Sequence, residues 1–267
     1  MQKTFSYKSS SIAYTVLGTG PEALFCFHGY GLNAQTFAFL EPVLGQFYTF
    51  ICLDFPFHGE TDWREGLLFL PEDLLTIMDA VNPYPAKKIN LLGYSMGGRI
   101  SLYLLQMIPD KINKIVLVAP DGLHKNPWQR FATQTRIGNK LFFFTMKYPG
   151  ILFLLMSIAE KIGSFNKNLK KFVHYYLNDP NERLRLYDRW TTMRKFQPNT
   201  LLLKNIVKQQ RKHVSILFGK HDSVILTKKG LAFSKGVEDF VMVKEIEAGH
   251  QLMKEKHRQE ITALFTN

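Results

Sequence analysis

Cysteine is scarce: only Cys26 and Cys52 occur among the 267 residues, and both lie in apolar runs. Disulfide-stabilised scaffolds are shorter and richer in cysteine, so the sequence excludes that class. We expect both thiols to be reduced core residues, which suits a cytoplasmic protein. Apolar residues make up 46% of the chain, which excludes a disordered protein and predicts one large domain, with or without an insertion.

Long apolar segments are also absent. Residues 1–20 lack the apolar core of a secretory signal, so we expect none. The most apolar stretch, residues 141–162, is interrupted by lysine, proline, glycine and glutamate, which argues against a membrane span. No H-E-x-x-H motif, paired C-x-x-C motif or phosphate-binding loop occurs, so we predict no metal, no nucleotide and no other cofactor.

Acidic residues are few in one segment: residues 121–212 contain 18 Lys and Arg but only 5 Asp and Glu. This segment therefore carries all of the excess positive charge of the chain. Such a change in charge at both ends predicts an inserted module. A solvated basic face is one interpretation; peripheral contact with an anionic membrane or an anionic substrate is the other. The tightest cluster interleaves lysines with phenylalanines: Lys161, Phe165, Lys167, Lys170, Lys171 and Phe172. No nucleic-acid-binding motif accompanies the charge, so no nucleic-acid partner is predicted.

Elsewhere the chain alternates between strand and helix patterns. Short apolar or alternating runs predict strands at residues 3–8, 11–17, 23–27, 47–53, 88–92, 112–119, 214–218 and 240–246. Helical spacing predicts helices at residues 33–47, 71–81, 96–108 and 227–235, and a last helix from about residue 251. The alternation predicts a parallel sheet with helices on both faces, formed by residues 1–120 and 214–267. A mostly helical insertion at residues 121–213 follows the sixth strand.

A candidate nucleophile lies between a buried strand and a helix. The run Gly93–Gly97 matches G-x-S-x-G in the strand–turn–helix context that this motif requires, and Ser95 is its serine. A sharp turn forces unusual backbone angles on the serine and crowds the residues two positions away, where glycine avoids a clash. The N–H of Met96 then lies at the start of a helix, where it can donate to a negative oxygen.

A serine hydroxyl needs a positioned base, and His250 is the best candidate. It follows the last predicted strand, and loops after parallel strands share one edge of the sheet, so His250 and Ser95 should meet there. His257 lies within the last predicted helix, where we expect it at the surface. The acid that orients the base should come from the same edge. Asp222 follows the seventh strand and is preferred, whereas Asp121, after the sixth strand, is the rival.

Glycines also follow the third strand, in the run His28–Gly31. They let this loop pass close to the nucleophile, so the N–H of Tyr30 can pair with that of Met96 as an oxyanion hole. The other interpretation is a glycine turn whose space is filled by the aromatic side chain of Tyr30, and that side chain then still faces the pocket.

Together these features resemble the α/β-hydrolase family. The order Ser95, Asp222, His250 is the family's order of nucleophile, acid and base. The run Leu53–Glu60 resembles its D-x-P-G-H-G loop, except that Phe57 stands where glycine is common. The resemblance implies an α/β-hydrolase fold: an eight-stranded, mostly parallel sheet flanked by helices, with a helical cap inserted after strand 6. His28-Gly29 is similar to the family's oxyanion motif, as Gly219–Asp222 is to its acid turn.

Three functions stay open at this point. The first is a serine hydrolase that cleaves esters of apolar acyl groups through an acyl-enzyme, without cofactor. The second follows from a further resemblance: Gly93–Arg99 is similar to the elbow of a lyase of menaquinone synthesis and of meta-cleavage C–C bond hydrolases, and Arg99 is then a candidate to bind a carboxylated substrate. The third is a ligand receptor or membrane-surface module with a slow triad. Candidate residues of the substrate pocket are His28, Gly29, Phe57, Tyr94, Arg99, Phe131 and Phe143.

Overall fold

One eight-stranded sheet organises the fold of the computed structural model, which describes residues 1–124, 126–161 and 178–266. Its strands are β1 Gln2–Tyr7, β2 Ser10–Leu17, β3 Glu22–Phe27, β4 Tyr48–Leu53, β5 Ile89–Tyr94, β6 Ile112–Val118, β7 Val214–Gly219 and β8 Val241–Ile246. They lie in the order β1-β2-β4-β3-β5-β6-β7-β8. The strands β3 to β8 are parallel to one another, whereas β2 is antiparallel to both of its neighbours. The prediction of a mostly parallel sheet flanked by helices is therefore confirmed.

The central strands are buried because their sequences are continuous apolar runs. Every residue of β4, β5 and β7 is buried, as is typical of parallel strands covered on both faces. β3 lies between β4 and β5: the connection after β3 leads to β4 on one side, and the connection after β5 leads to β6 on the other side. The loops that follow β3 and β5 therefore diverge at the carboxyl edge, which is where open parallel sheets bind ligands.

Helices connect the strands. Their bounds are α1 Glu41–Leu44, α2 Pro71–Val81, α3 Met96–Met107, α4 Pro127–Gln134, α5 Arg136–Lys147, α6 Gly150–Lys161, α7 Pro180–Thr192, α8 Thr200–Gln209, α9 Thr227–Ser234 and α10 Arg258–Thr262. The single helix predicted at residues 33–47 is instead a 3₁₀ helix, Ala34–Leu40, followed by the four residues of α1. Asn33 caps the 3₁₀ segment through the N–H of Gln35, as asparagine does at helix starts.

The chain divides into two compact units. Unit 1 comprises Met1–Glu65, Leu70–His124 and Phe196–Asn267, and unit 2 comprises Gly66–Phe69 and Lys125–Lys195. Unit 1 thus includes part of the segment predicted as the insertion, residues 121–213. The reason is packing: the side chain of Phe196 is fully buried, with its ring centroid 5.8 Å from that of Tyr103 on α3.

Two other features bear on the sequence predictions. No helix among the described residues has both the length and the apolar character needed to cross a bilayer. The basic and aromatic cluster predicted from Lys161 to Phe172 falls outside the side chains that the structure describes.

His257 is buried, so the prediction of a surface histidine inside the last helix is wrong. That helix begins only at Arg258, because turns occupy the preceding residues, and His257 ends the 3₁₀ segment Glu255–His257. Burial, with a further contribution from the charge of Lys256, lowers the pKa of His257 from its ordinary value. Its Nε2 has no hydrogen-bond partner among the described residues. Protonating this ring is therefore less favourable in the folded chain than in the unfolded chain.

We expect His257 to make stability depend on pH. Because its pKa is lowered on folding, the folded state binds the proton less well, and stability falls as the pH drops below the ordinary histidine value of 6.5. The His257→Gln variant lacks this titration, so its free energy of unfolding should fall less between about pH 7.5 and about pH 5.5. Urea denaturation at both pH values measures the difference. The exposed residue His124 provides the control variant, His124→Gln, and an equal fall in wild type and His257→Gln contradicts the prediction.

Candidate active site

Ser95 occupies the sharp turn between β5 and α3. Its backbone angles are φ 50° and ψ −111°, a left-handed conformation that side chains with a Cβ rarely adopt. The turn is fixed by its own backbone: Ser95 N donates to Val118 O at 3.0 Å, and Ser95 O accepts from Gly98 N and Asp121 N at 2.9 Å each. These bonds join the turn to β6 and its loop, and they hold the serine at the carboxyl edge of the sheet.

Glycines on both sides of Ser95 are required by close packing. A Cβ at Gly93 would lie 2.5 Å from Ser101 Oγ and 2.6 Å from Gly97 O. A Cβ at Gly97 would overlap the backbone oxygen of Phe27 on β3. The helix α3 can therefore start directly against β3 only because position 97 has no side chain.

Three side chains form a hydrogen-bonded chain that begins at Ser95. His250 Nε2 lies 3.1 Å from Ser95 Oγ, and His250 Nδ1 lies 2.7 Å from Asp222 Oδ2. A carboxylate only accepts hydrogen bonds, so Nδ1 is the donor to Asp222. In the neutral ring, Nε2 is then left as an acceptor that faces the serine hydroxyl. Sequence reasoning chose these same residues, and the structure brings them together.

Asp222 is held on both of its oxygens, which distinguishes it from the rival Asp121. The side chain of Asp222 is fully buried, and its Oδ1 accepts from the N–H groups of Val224 and Ile225 at 2.7 and 2.9 Å. Its other oxygen faces His250. Asp121 instead lies 3.4 Å from the guanidinium of Arg99 and accepts from the N–H of Gly122. The structure therefore joins Asp222 to the histidine and Asp121 to an arginine.

Tyr94 also holds His250, a role that sequence reasoning did not find. Its hydroxyl donates to the backbone oxygen of His250 at 2.9 Å, and the two rings stack with centroids 5.6 Å apart. Tyr94 was a candidate residue of the substrate pocket, and its buried side chain lies against the histidine ring. Its place directly before Ser95 was the only sequence signal that pointed to the site.

The loops that present Asp222 and His250 are tied to each other. Lys220 N donates to Ile246 O, and His221 N donates to Ala248 O, each at 2.9 Å. At the surface, Glu247 pairs with the side chains of both Lys220 and His221, and these contacts lower the pKa of the Glu247 carboxyl. No sequence pattern predicts this pairing, because the partners follow different strands.

The loop after β3 passes beside the serine turn. A Cβ at Gly29 would lie 3.0 Å from the Tyr94 ring and 3.4 Å from Ser95 Cβ, so only glycine fits without displacement. His28 is fully buried with both ring nitrogens engaged: Nε2 accepts from Phe55 N at 3.2 Å, and Nδ1 lies 2.8 Å from Gly29 O and therefore donates. His28 thus shapes the loop rather than facing a ligand.

The predicted oxyanion donors come from two adjoining segments. Met96 is the first residue of α3, so its N–H has no acceptor within the helix. Tyr30 follows Gly29 in the loop that adjoins Ser95, and Gly31 turns that loop with a φ of 72°. Backbone N–H groups at a helix start and in a glycine loop suit a developing negative oxygen.

The loop after β4 contains Phe57, the residue that stands where the D-x-P-G-H-G loop commonly has glycine. Phe57 adopts a φ of 62°, and Gly59 a φ of 52°, so Phe57 takes the left-handed conformation that a glycine would accept without strain. Asp54 organises this loop through the N–H groups of Ala34 and Glu60. Burial raises the pKa of Asp54, against the opposing effect of these two hydrogen bonds.

Three candidate pocket residues remain: Phe131, Phe143 and Arg99. Phe131 and Phe143 belong to unit 2, where each is about two-fifths exposed and where Phe143 packs against Tyr187 with ring centroids 5.1 Å apart. The side chain of Arg99 is 13% exposed and directed to Asp121. Among the described residues, no group of three His, Cys, Asp or Glu side chains could hold a metal ion.

Strain at Ser95 can be measured by comparing two variants that both lack the hydroxyl. A residue with a Cβ in this conformation costs about 1–3 kcal/mol, which glycine avoids at an entropic cost of about 0.5–1 kcal/mol. We therefore expect the free energy of unfolding of Ser95→Gly to exceed that of Ser95→Ala by about 1 kcal/mol. Urea denaturation of both variants tests this. A Ser95→Ala variant as stable as Ser95→Gly would show that the turn is unstrained.

Comparisons with known proteins concern the fold of the chain. Residues 22–148 match a family model described as alpha/beta hydrolase fold. An uncharacterised hydrolase of Bacillus subtilis, YugF, is 21% identical over 240 residues, which are 89% of this chain and 86% of that protein. A putative 2-succinyl-6-hydroxy-2,4-cyclohexadiene-1-carboxylate synthase of the same species is 32% identical over 117 residues, which are 41% of each.

Solved structures extend the likeness to the whole chain. A thermophilic esterase from Thermogutta terrifontis superposes with a TM-score of 0.68 at 16% identity, over 100% of this chain and 98% of that one. The strand order and the turn at Ser95 are those expected of the same fold. The chain therefore has the α/β-hydrolase fold.

Proposed function

We propose that the protein is a serine hydrolase that cleaves carboxylic esters of apolar acyl groups. The observation that carries the proposal is the hydrogen-bonded chain from Ser95 Oγ through His250 to Asp222. A hydroxyl, an imidazole and a buried carboxylate in that order are what a serine needs to act as a nucleophile near neutral pH.

In the proposed reaction, Ser95 Oγ attacks the ester carbonyl while His250 Nε2 takes the hydroxyl proton. The tetrahedral intermediate collapses when the imidazolium returns that proton to the departing alcohol, which leaves the acyl group on Ser95. Water then attacks the acyl-enzyme with His250 again as base, and it releases the acid and the free serine. Each proton that His250 takes is given back, so the cycle balances.

Neighbouring groups stabilise the charges that develop on His250 and on the substrate oxygen during the reaction. Asp222, fixed by two N–H groups and by burial, keeps the ring in the productive tautomer and stabilises the imidazolium. The N–H groups of Tyr30 and Met96 are the donors for the oxyanion, and losing one such donor typically costs about a hundred- to a thousandfold in rate. Tyr94 positions His250 through its backbone oxygen.

The superposition on an esterase makes ester hydrolysis the first candidate reaction, and one feature of unit 2 supports an apolar acyl group. Helices α5 and α6 are rich in phenylalanine, leucine and isoleucine, and Phe131 of α4 adds a further aromatic residue, as an acyl-binding segment would require.

Labelling with a fluorophosphonate tests the nucleophile directly. We expect the wild-type chain to be labelled at Ser95 and the Ser95→Ala variant to remain unlabelled, with ester turnover reduced roughly 10⁴-fold or more. Mass spectrometry of the labelled peptide identifies the modified residue. An unlabelled but folded wild-type protein would favour the third hypothesis, a ligand receptor with a slow triad, and would overturn the proposal.

The two aspartates provide a matched pair in the same assay. Asp222→Asn should slow labelling about 10⁴-fold, because the amide favours the wrong tautomer of His250. Asp121→Asn keeps the backbone N–H to Ser95 and loses only a partly exposed contact with Arg99, so its effect should stay below about tenfold. The reverse ranking would transfer the role of acid to Asp121.

A second candidate is C–C bond cleavage or an elimination on an anionic substrate. It is favoured by the match over 117 residues to the putative carboxylate synthase, and Arg99 would then bind the carboxylate. Against it, Arg99 already faces Asp121 at 3.4 Å. Turnover of esters with increasing acyl length separates the two: rising turnover supports the esterase, whereas labelling without measurable turnover of any ester supports the second candidate.

A further inference from the structure

Helix α5 has two different faces in unit 2. One face packs on α7: the ring of Phe142 lies 5.4 Å from that of Tyr187 and 5.7 Å from that of Trp190, and Asn139 hydrogen-bonds to Thr191 and Tyr187. Met146 lies on the same face and is buried, and Gly138 is buried against the backbone of Phe131 on α4. The helix is therefore anchored from one side.

The opposite face of α5 is apolar and exposed. Four residues at spacings of four, three and four form one stripe along the helix: Ile137, Leu141, Phe144 and Tyr148. Each of them is more than half exposed. Single exposed apolar residues are common at protein surfaces, but a continuous stripe marks a contact surface.

Helix α6 repeats the pattern. Ile151, Leu154 and Ile158 follow at spacings of three and four, and each is about half exposed or more. Two successive helices that both expose apolar side chains are unusual for a face that meets only water.

Basic residues border the stripe of α5, and the neighbouring sequence contains no acidic residue. Arg136, Lys140 and Lys147 are exposed on the same helix. Residues 125–159 of the sequence contain five Lys or Arg and no Asp or Glu. Lys147 Nζ lies 5.8 Å from the centroid of the Phe143 ring and 5.4 Å from that of Tyr148, so the ammonium group caps the aromatic end of the stripe.

We propose that the outer face of α5 binds an anionic phospholipid surface. The α5 face is defined as the stripe of Ile137, Leu141, Phe144 and Tyr148 with its basic border. Apolar side chains would enter the boundary between headgroups and acyl chains, while Arg136, Lys140 and Lys147 contact the phosphates. A twelve-residue helix is about 18 Å long, which suits a helix lying in the plane of the interface.

Charge argues for lipid over a second copy of this chain. Two α5 faces brought together would place basic residues against basic residues, and α5 itself has no acid to neutralise them. An anionic bilayer supplies both an apolar layer and the opposite charge, and each lysine or arginine near such a surface strengthens binding about fivefold.

Sedimentation with vesicles tests the proposal on the full chain. We expect the wild type to bind vesicles of equal parts phosphatidylglycerol and phosphatidylcholine, to bind pure phosphatidylcholine vesicles much more weakly, and to lose most binding at about 1 M salt, where charges are screened beyond about 3 Å. The triple variant Ile137→Ser, Leu141→Ser, Phe144→Ser should bind at least about tenfold more weakly. Lys140→Gln combined with Lys147→Gln should weaken binding to the anionic vesicles about 25-fold.

Matched controls come from exposed residues of unit 1. Leu201 and Leu231 are also more than half exposed, and Lys208 and Lys228 are exposed lysines. Serine at the two leucines, or glutamine at the two lysines, should change binding no more than about twofold. Circular dichroism and a thermal melt confirm that every variant is folded.

Three results would overturn the proposal. They are absence of binding to anionic vesicles, binding of the triple variant equal to that of the wild type, and a wild-type dimer that the triple variant dissociates while vesicles remain unbound. The last result would assign the α5 face to a second copy. Binding is measured without turnover, so the outcome does not depend on the proposed hydrolase activity.

Discussion

A shared edge of the parallel sheet is the constraint on which the site depends. Ser95, Asp222 and His250 are far apart in sequence, and they meet because β5, β7 and β8 run in the same direction and end at the same edge. Two backbone hydrogen bonds between the loops after β7 and β8 fix how the carboxylate faces the imidazole. A shift of one residue in the pairing of those strands would turn every side chain to the other face of the sheet.

Buried polar groups keep the rest of that edge rigid. His28 and Asp54 follow the neighbouring strands β3 and β4, and each bonds mainly to backbone groups of the loops. Such groups are costly to bury unless they are paired. Since the loops supply the partners, the loops cannot rearrange without leaving a buried acceptor or donor unsatisfied. The serine turn is therefore surrounded by segments with little freedom to move.

Much of this arrangement could be predicted from the sequence, because apolar runs, glycines and turn motifs are local signals. The strands were placed within one or two residues, and the G-x-S-x-G run identified Ser95. Contacts between distant segments left no such signal. Phe196, which the sequence places in the insertion, packs on Tyr103 of unit 1, and the pairing of Tyr94 with His250 joins residues 156 positions apart in sequence. The burial of His257 depends on turns that periodicity does not reveal.

β8 is an edge strand of the sheet, and its position decides which part of the site unfolds first. β8 pairs with β7 alone, and it has one buried residue, whereas β5 and β7 are buried throughout. Of the strands that carry the three side chains, β8 therefore opens at the least free-energy cost. Fraying there would withdraw the imidazole while the serine turn and the central strands stayed intact. Inactivation by heat or mild denaturant would then precede the main loss of secondary structure, as a local event at one margin of an otherwise folded protein.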